Sequence, residues 1–129
     1  MFISHHHIKD GKLSELREES ERTFAKLKGR DPGTALFEAY SNQAGDQITF
    51  VHIFVDGAAM ASHLKGVDQR GRSAREYLKP IRFEIYGDPG AKVMQMMRKA
   101  AGEQIELRWK PRPFGGFHRY GSPTHPLDG

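Results

Sequence analysis

The sequence contains no cysteine among its 129 residues. This absence excludes disulfides, thiolate nucleophiles and cysteine-ligated zinc or iron–sulfur sites. No apolar run approaches the roughly 18 residues of a membrane-spanning helix. The N-terminus also lacks the basic flank and long apolar stretch of a signal peptide. We therefore expect a cytoplasmic protein with no membrane partner.

The charge balance is not extreme either, with a formal net charge of +4. Hydrophobic residues make up 37% and charged residues 28% of the chain, which is typical of one globular domain. No nucleic-acid-binding module accompanies the basic residues near the C-terminus, so we expect no nucleic-acid partner. These basic residues are Arg98, Lys99, Arg108, Lys110, Arg112 and Arg119.

Hydrophobic periodicity predicts the element order β-α-β-β-α-β. Apolar side chains recur at three- and four-residue spacing from Leu13 to Leu27, which is one face of a helix. Asp56 reads as the N-cap of a second, short helix that ends before Gly66. The order is typical of an α+β, ferredoxin-like fold, with the first and third strands adjacent and both helices on one face. The predicted strands cover residues 2–8, 34–40, 48–55 and 81–86.

An additional helix and strand follow this pattern. Residues 67–75 are predicted to form a loop and residues 74–78 a helical turn, which Pro80 breaks before the fourth strand. Residues 91–101 are then predicted to form a helix, and the alternating residues 103–110 a strand. We divide the chain into a ferredoxin-like domain (1–87), an appended helix–strand unit of the same domain (88–110) and an irregular tail (111–129). The tail is expected to be irregular and partly mobile, although Phe114, Phe117 and Tyr120 could dock somewhere.

The third predicted strand has two different faces, since alternate side chains point to opposite sides of a sheet. One face is β-branched, from Thr49 to Val55, and the other is aromatic and carries His52. The two short helices cannot cover both faces. The uncovered face is therefore a predicted homodimer interface.

The segments PGTALFEAY, ITFVHIFVD and ASHL, in this order, resemble the antibiotic biosynthesis monooxygenase family. The resemblance covers about residues 1–87. Gly33 matches the family's helix-ending glycine, and Phe37, Glu38 and Tyr40 match the strand that follows it. His52 and Phe54 stand where the family has glutamate and tryptophan. His63 follows Phe54 by nine residues, as the family's histidine follows its tryptophan.

The resemblance implies a dimeric α/β-barrel fold with a pocket between sheet and helices. It also implies oxidation of a small phenol- or quinol-type aromatic, with dioxygen as co-substrate and without metal or flavin. Haem degradation, another activity of the superfamily, is disfavoured because Ser4 and Phe54 replace an asparagine and a tryptophan and residues 69–78 contain no histidine.

His52 is the predicted catalytic base, because an imidazole titrates near neutral pH and this one lies between two phenylalanines. His6 and Ser4 are two residues apart on the first strand, so their side chains point to the same face, and His6 is expected to face the same pocket as His52. His5 and His7 then lie on the face of the predicted dimer interface. Tyr40, Tyr77 and Tyr86 could orient a phenol by hydrogen bonding, or could be aromatic side chains of the rim or the core. The predicted substrate-binding residues are Ser4, His6, Phe37, Phe50, Phe54, His63, Tyr77 and Tyr86.

Two alternatives stay open. His52 beside His6, or beside the His5 and His7 pair, could form a histidine cluster that binds a metal ion. The chain could also be a non-catalytic dimeric protein that binds a small ligand on the same scaffold, because a scaffold alone does not decide function.

Overall fold

A computed structural model describes residues 1–65, 74–117 and 119. This part of the chain is an α+β domain with five strands and three helices. The elements are β1 (Phe2–Ile8), α1 (Leu13–Arg30), β2 (Thr34–Ser41), β3 (Gln47–Phe54), α2 (Gly57–Leu64), β4 (Leu78–Tyr86), α3 (Ala91–Ala101) and β5 (Glu106–Lys110). The element order and the appended helix–strand unit are those that the periodicity predicted.

The strands form one mixed sheet in the order β2-β3-β1-β4-β5. The pairs β1–β3, β1–β4 and β2–β3 are antiparallel, and β5 is parallel to β4. The first and third strands are neighbours, as expected. The first strand therefore lies in the middle of the sheet, and the appended strand extends the edge beside β4.

Helix α1 begins and ends where its charges favour it. Glu15 lies in the first turn, and Lys28 and Arg30 lie in the last, so both ends of the helix dipole are compensated. Leu16 and Leu27 are the buried side chains of its apolar stripe. After Leu27 the chain turns out of the helix towards β2.

Helix α2 is held by a side-chain cap and by a close approach to the chain before β2. The Asp56 carboxylate accepts a hydrogen bond from the Ala59 backbone N–H at 2.8 Å, which confirms the predicted N-cap. A Cβ atom on Gly33 would lie only 2.6 Å from the Cβ of Ala59. Gly33 thus lets α2 pack closely against the chain that leads into β2. The predicted C-terminal glycine, Gly66, lies outside the described residues.

Strand β4 starts earlier than predicted. We expected Pro80 to break the chain before residue 81, and this was wrong, because Pro80 lies inside β4. A register shift opposite His5 and His6 leaves Ile81 as an extra residue, and such a bulge tolerates proline. Pro80 also precedes Arg82, where pairing with β5 begins, so no hydrogen bond to β5 is lost. The predicted helical turn is a turn that ends at Tyr77, and most of the predicted loop lies outside the described residues.

The three described helices share one face of the sheet, and their apolar side chains form two clusters on it. At the Phe2 end the core contains Phe2, Met60, Leu64, Ile85, Val93, Met94 and Met97. At the opposite end it contains Ile8, Leu16, Ile48 and Leu78. The other face, which no described helix covers, is here called the open face. The methionines of α3 are core residues, as flexible apolar side chains that fill irregular gaps.

The C-terminal part follows the prediction only partly. Strand β5 begins at Glu106 rather than at residue 103. Residues 111–117 have no regular structure, as expected. The side chains of Phe114 and Phe117 are 108% and 80% exposed, so the described part of the chain leaves both rings in water. Tyr120 lies outside the described residues. No described helix combines the length and apolar character needed to cross a membrane.

Candidate functional site

His52 lies in the middle of β3, on the face that the helices cover, and is only 5% exposed. Its Nδ1 donates a hydrogen bond of 3.0 Å to the backbone carbonyl of Phe2, the residue opposite it on β1. A carbonyl only accepts, so Nδ1 carries the proton. In the neutral ring the lone pair is then on Nε2, which is the atom that can act as a base.

His63 lies in the last turn of α2, is 5% exposed, and is directed at a carboxylate. Its Nδ1 lies 3.1 Å from Oδ2 of Asp31, which is itself 7% exposed. The carboxylate accepts the Nδ1 proton and fixes the same tautomer as in His52. It also stabilises the imidazolium that forms when His63 takes up a second proton.

The two imidazoles are neighbours, with ring centroids 5.1 Å apart. Asp31, His63 and His52 thus form a buried set that spans three elements of the fold, here called the histidine pair and its carboxylate. A strand fixes one ring, a helix fixes the other, and the turn after α1 supplies the acid. This arrangement has the parts of a general base: an imidazole, a fixed tautomer and an orienting carboxylate.

Phenylalanine rings surround the histidine pair. Phe2 stacks on His52 with centroids 4.7 Å apart, and Phe37 meets His52 edge-on at 4.5 Å. Phe54 contacts both rings, at 6.0 Å from His52 and 5.3 Å from His63. Such a shell lowers the local dielectric and strengthens every charge interaction inside it. The predicted residues Phe37 and Phe54 therefore lie at His52, as the strand pattern indicated.

Asp31 was missed in the sequence. Asp-Pro-Gly after a helix is an ordinary stop signal, and nothing local distinguishes this aspartate from a turn residue. The structure buries it against a histidine 32 positions away in sequence. A buried carboxylate needs a partner, so an aspartate two residues before the matched Gly33 was the only signal available.

Ser4 and His6 share the helix-covered face with His52, and Ser4 lies diagonally next to it, opposite Phe50, whereas His6 lies further along β1. His6 pairs with Ile48 on β3, whereas Phe2 pairs with His52. Four residues along a strand correspond to about 13 Å. The expectation that His6 faces the same pocket as His52 therefore needs correction. Phe50 lies with His6, where the two rings meet edge-on at 5.4 Å.

His6 has a different environment from the histidine pair. Its Nε2 lies 3.1 Å from the Ser4 hydroxyl, while its buried Nδ1 has no hydrogen-bond partner among the described residues. Burial, with the nearby His5 charge as the second cause, lowers the pKa of His6 to about 4. His6 is therefore a neutral core histidine at physiological pH.

The tyrosines predicted to orient a substrate lie elsewhere. Tyr86 and Tyr40 are on the open face, where their hydroxyls donate to Glu84 and Glu38. Tyr77 packs on the cluster at the Ile8 end of the sheet. None of these three tyrosines lies beside His52, so their assignment to its pocket also needs correction.

The open face carries its own histidine–carboxylate pair. The His5 ring contacts Thr49 through Nδ1 at 3.0 Å and Glu84 through Nε2. The hydrogen bond from His5 is the largest of the effects that lower the pKa of Glu84. The sheet separates this pair from His52, so the predicted cluster of His52 with His5 and His7 does not form. In residues 1–65, 74–117 and 119, no group of three or more histidines or carboxylates is placed to hold a metal ion.

Among the concavities on the described surface are two that His52 does not line. The first, of about 240 Å³, lies between α1 and the hairpin strands. The second, of about 180 Å³, lies at the start of α2, and Phe54 and Met60 form part of its wall. Phe54 also contacts both imidazoles, so this ring borders both the second concavity and the histidine pair.

No protein-family model matches the chain. No curated protein matches it significantly. Among solved structures, a crystal structure of MupZ from Pseudomonas fluorescens is similar, with a TM-score of 0.63 and 14% sequence identity. The match covers 96% of this chain and 94% of that one. At this identity the similarity supports the fold alone.

Proposed function

We propose that the chain is a cofactor-independent monooxygenase that acts on a small phenol- or quinol-type aromatic. The observation that carries this proposal is the buried set of Asp31, His63 and His52 inside a shell of phenylalanine rings. An aromatic shell suits an aromatic substrate, and the imidazoles supply a base near neutral pH.

The proposed oxidation requires the protein mainly to remove the hydroxyl proton of the substrate. A phenolic substrate that loses its hydroxyl proton becomes an electron-rich anion that reacts with dioxygen. For an anthrone-type substrate, one oxygen atom enters the ring as a carbonyl. The other oxygen leaves as water with two substrate hydrogens. Dioxygen is the co-substrate, so the step balances without metal or flavin.

We assign the proton to the imidazole pair. His52 is fixed as a neutral acceptor by the Phe2 carbonyl. His63 is the better final holder of the charge, because Asp31 compensates its imidazolium within 3.1 Å. Removing either imidazole should therefore lower the rate by about 10²- to 10⁴-fold, the usual contribution of a general base.

We infer that the fold is ferredoxin-like and that two copies form a dimeric α/β barrel. The open face supports this, since Ile3, Val51 and Ile53 lie side by side on adjacent strands and no described helix covers them. A second copy would bury this apolar surface. Sedimentation at micromolar concentration should give the mass of a dimer, and a monomer there would refute this inference.

A second candidate function is ligand binding without turnover. The two concavities that His52 does not line favour it, because a ligand bound in either one would not meet this imidazole. A ligand that co-purifies with the protein and is released unchanged would support this reading. A saturable rate that depends on His52 would exclude it.

Oxygen uptake with a panel of anthrones and quinols tests the proposed function. We expect uptake that depends on the protein and is unchanged by removal of metals with a chelator. His52→Phe and His63→Phe should each lower the uptake rate by about 10²- to 10⁴-fold, while His7→Phe, at an exposed strand position, should leave it unchanged. The proposal fails if no substrate is turned over, or if both core variants keep the full rate.

A further inference from the structure

The second concavity, at the start of α2, is here called the α2 pocket and has a volume of about 180 Å³. Its floor is apolar and includes Phe54, Met60 and Ile85. Met60 and Ile85 are only 2% and 1% exposed, so the pocket ends on the core cluster at the Phe2 end of the sheet. An apolar cavity of about 150 Å³ is large enough to bind benzene. The α2 pocket therefore has room for one aromatic ring.

Two closely packed segments form the mouth of the α2 pocket. A Cβ atom on Gly57, the first residue of α2, would lie only 2.3 Å from the backbone carbonyl oxygen of Pro89. The start of α2 and the turn after β4 are thus already in contact. The Asp88 carboxylate accepts a hydrogen bond of 2.9 Å from the Gly90 N–H, which holds this turn. The pocket is therefore pre-formed, as sites for small molecules usually are.

Phe54 belongs both to the α2 pocket and to the aromatic shell of the histidine pair. Its ring centroid lies 5.3 Å from that of His63 and 6.0 Å from that of His52. Phe2 and Phe37 also contact His52, but neither lines this pocket or the first concavity. A ring of the substrate that took the position of the Phe54 ring would meet both imidazoles at the same distances.

The position of Phe54 in the fold allows its side chain to move. Phe54 is the last residue of β3 and is only partly buried. A change of its side-chain rotamer leaves the strand pairing inside the sheet intact. Rotation of this one ring therefore connects the α2 pocket with the space beside the imidazoles.

We propose that the phenolic ring of the substrate binds in the α2 pocket and that Phe54 is the gate between this pocket and the histidine pair. Displacement of the Phe54 ring lets the substrate ring move from the pocket to the imidazoles. The further rings of an anthrone-type substrate stay at the mouth of the pocket. The chemical class of the ligand rests on the proposed function, whereas the assignment of pocket and gate rests on the contacts of Phe54.

Phenol is the probe that tests this inference, because it is a single hydroxylated ring and its binding is measured without turnover. Protein with isotopically labelled methionine methyl groups is titrated with phenol in the absence of dioxygen and followed by NMR. We expect a saturable shift of the Met60 methyl signal, and a much smaller one of Met94, which does not line the pocket. The imidazole ring protons of His52 and His63 should shift in the same titration, because the gate opens.

Phe54→Ala removes the gate and leaves a ring-sized space beside the imidazoles. It should bind phenol at least about tenfold more tightly than the wild type, because the probe then fills this space. Phe54→Leu removes less volume, which favours folding, and should act in the same direction. Phe83→Leu is the matched control, since Phe83 is a partly buried phenylalanine of the same cluster that does not line the pocket. Its phenol affinity should equal that of the wild type.

The absence of a Met60 shift in the wild type would overturn the assignment of the pocket. Imidazole signals that stay unchanged in both the wild type and Phe54→Ala, or equal phenol affinities of Phe54→Leu and Phe83→Leu, would overturn the assignment of the gate. Failure of the proposed function has a different signature. The NMR shifts and the effect of Phe54 would then appear as expected, which supports the pocket and the gate, but no substrate would give oxygen uptake.

Discussion

The two faces of the sheet each carry a histidine bound to a carboxylate, and the two pairs differ mainly in burial. On the helix-covered face, the His63 and Asp31 side chains are 6% and 5% exposed. On the open face, the His5 and Glu84 side chains are 26% and 13% exposed. His63 and Asp31 have the His52 imidazole and the shell of phenylalanine rings beside them, whereas His5 and Glu84 have hydroxyl and guanidinium neighbours.

This difference teaches which pair can do chemistry. Charges inside an apolar shell interact strongly, and loss of one partner leaves the other without compensation. Near the surface, water screens the same interaction, so the pair contributes little and its partners are replaceable. We therefore locate the proposed activity at His63 and Asp31 and treat His5 and Glu84 as part of a surface. The predictions below test this division, beginning with the largest effect.

The largest effect is expected from removal of the buried carboxylate. Asp31→Ala should lower the free energy of unfolding by about 3 to 5 kcal/mol, because it leaves His63 buried without its acid. Urea unfolding at neutral pH measures this. Glu84→Ala on the open face is the matched control and should cost about 1 kcal/mol or less. Equal losses in the two variants would break the comparison.

His6 offers a third environment, partly buried and without a carboxylate partner among the described residues, and its effect on stability should depend on pH. Its pKa in the folded state is about 4, against 6.5 in the unfolded chain. Between these values the unfolded state binds more protons, so stability is full above pH 6.5 and is lost as the pH falls towards 4. The shift corresponds to about 3 kcal/mol.

The variant His6→Phe checks this value. It keeps an aromatic ring against Phe50 and removes the titration, so the stability gap between variant and wild type should widen on acidification. Unfolding curves at about pH 7.5 and about pH 4 measure the change, which linkage predicts at about 3 kcal/mol. His7→Phe at an exposed position should show no such widening. A gap that stays constant with pH would contradict the proposed environment of His6.

Gly33→Ala should disturb the contact between His63 and Asp31, although the new methyl group lies against Ala59. The new methyl group would lie 2.6 Å from the Cβ of Ala59, so α2 and His63 with it must shift. Overpacking of this kind costs about 1 to 3 kcal/mol. Thermal unfolding measures the loss, and Gly29→Ala, where nothing lies within 4 Å, is the control. Equal stability of the Gly33 variant and its control would show that α2 approaches less closely than described.

The smallest effect is expected on the open face. Hydrogen bonding from His5 lowers the pKa of Glu84, so its contribution is present above the usual carboxyl pKa and is lost on acidification below it. Glu84→Gln should change the unfolding free energy by about 1 kcal/mol or less at neutral pH. A loss as large as that expected for Asp31→Ala would show that the strongly coupled histidine–carboxylate pair is His5 and Glu84 on the open face.

Local patterns predicted most of the fold. Alternation located the strands, and the three- and four-residue spacing located the helices, because each element buries one periodic face. The same alternation put His52 among phenylalanines. Pro80 was misread, since a bulge created by pairing between strands decides whether a proline is tolerated. That pairing is not visible in the local sequence.

The candidate site was predicted only in part, for a related reason. The position of His52 on a strand marks it as a candidate, but Asp31 joins the candidate site only through its contact with His63 of α2. His6 was placed near His52 by parity, and the register of β1 against β3 moves it about 13 Å away. Alternation along a strand decides the face of the sheet on which a side chain lies. The pairing register with the next strand decides which side chains lie beside it.

The central claim is that the buried histidine pair removes a phenolic proton. Binding of an anthrone-type phenol without dioxygen, followed by its absorption spectrum, tests this most directly, because the anion accumulates when it cannot react. The account predicts the spectrum of the anion at neutral pH with wild type and with Glu84→Gln. It predicts the neutral phenol, or no binding, with His63→Phe. An anion spectrum that survives in both His52→Phe and His63→Phe, or a neutral phenol bound to wild type, would contradict it.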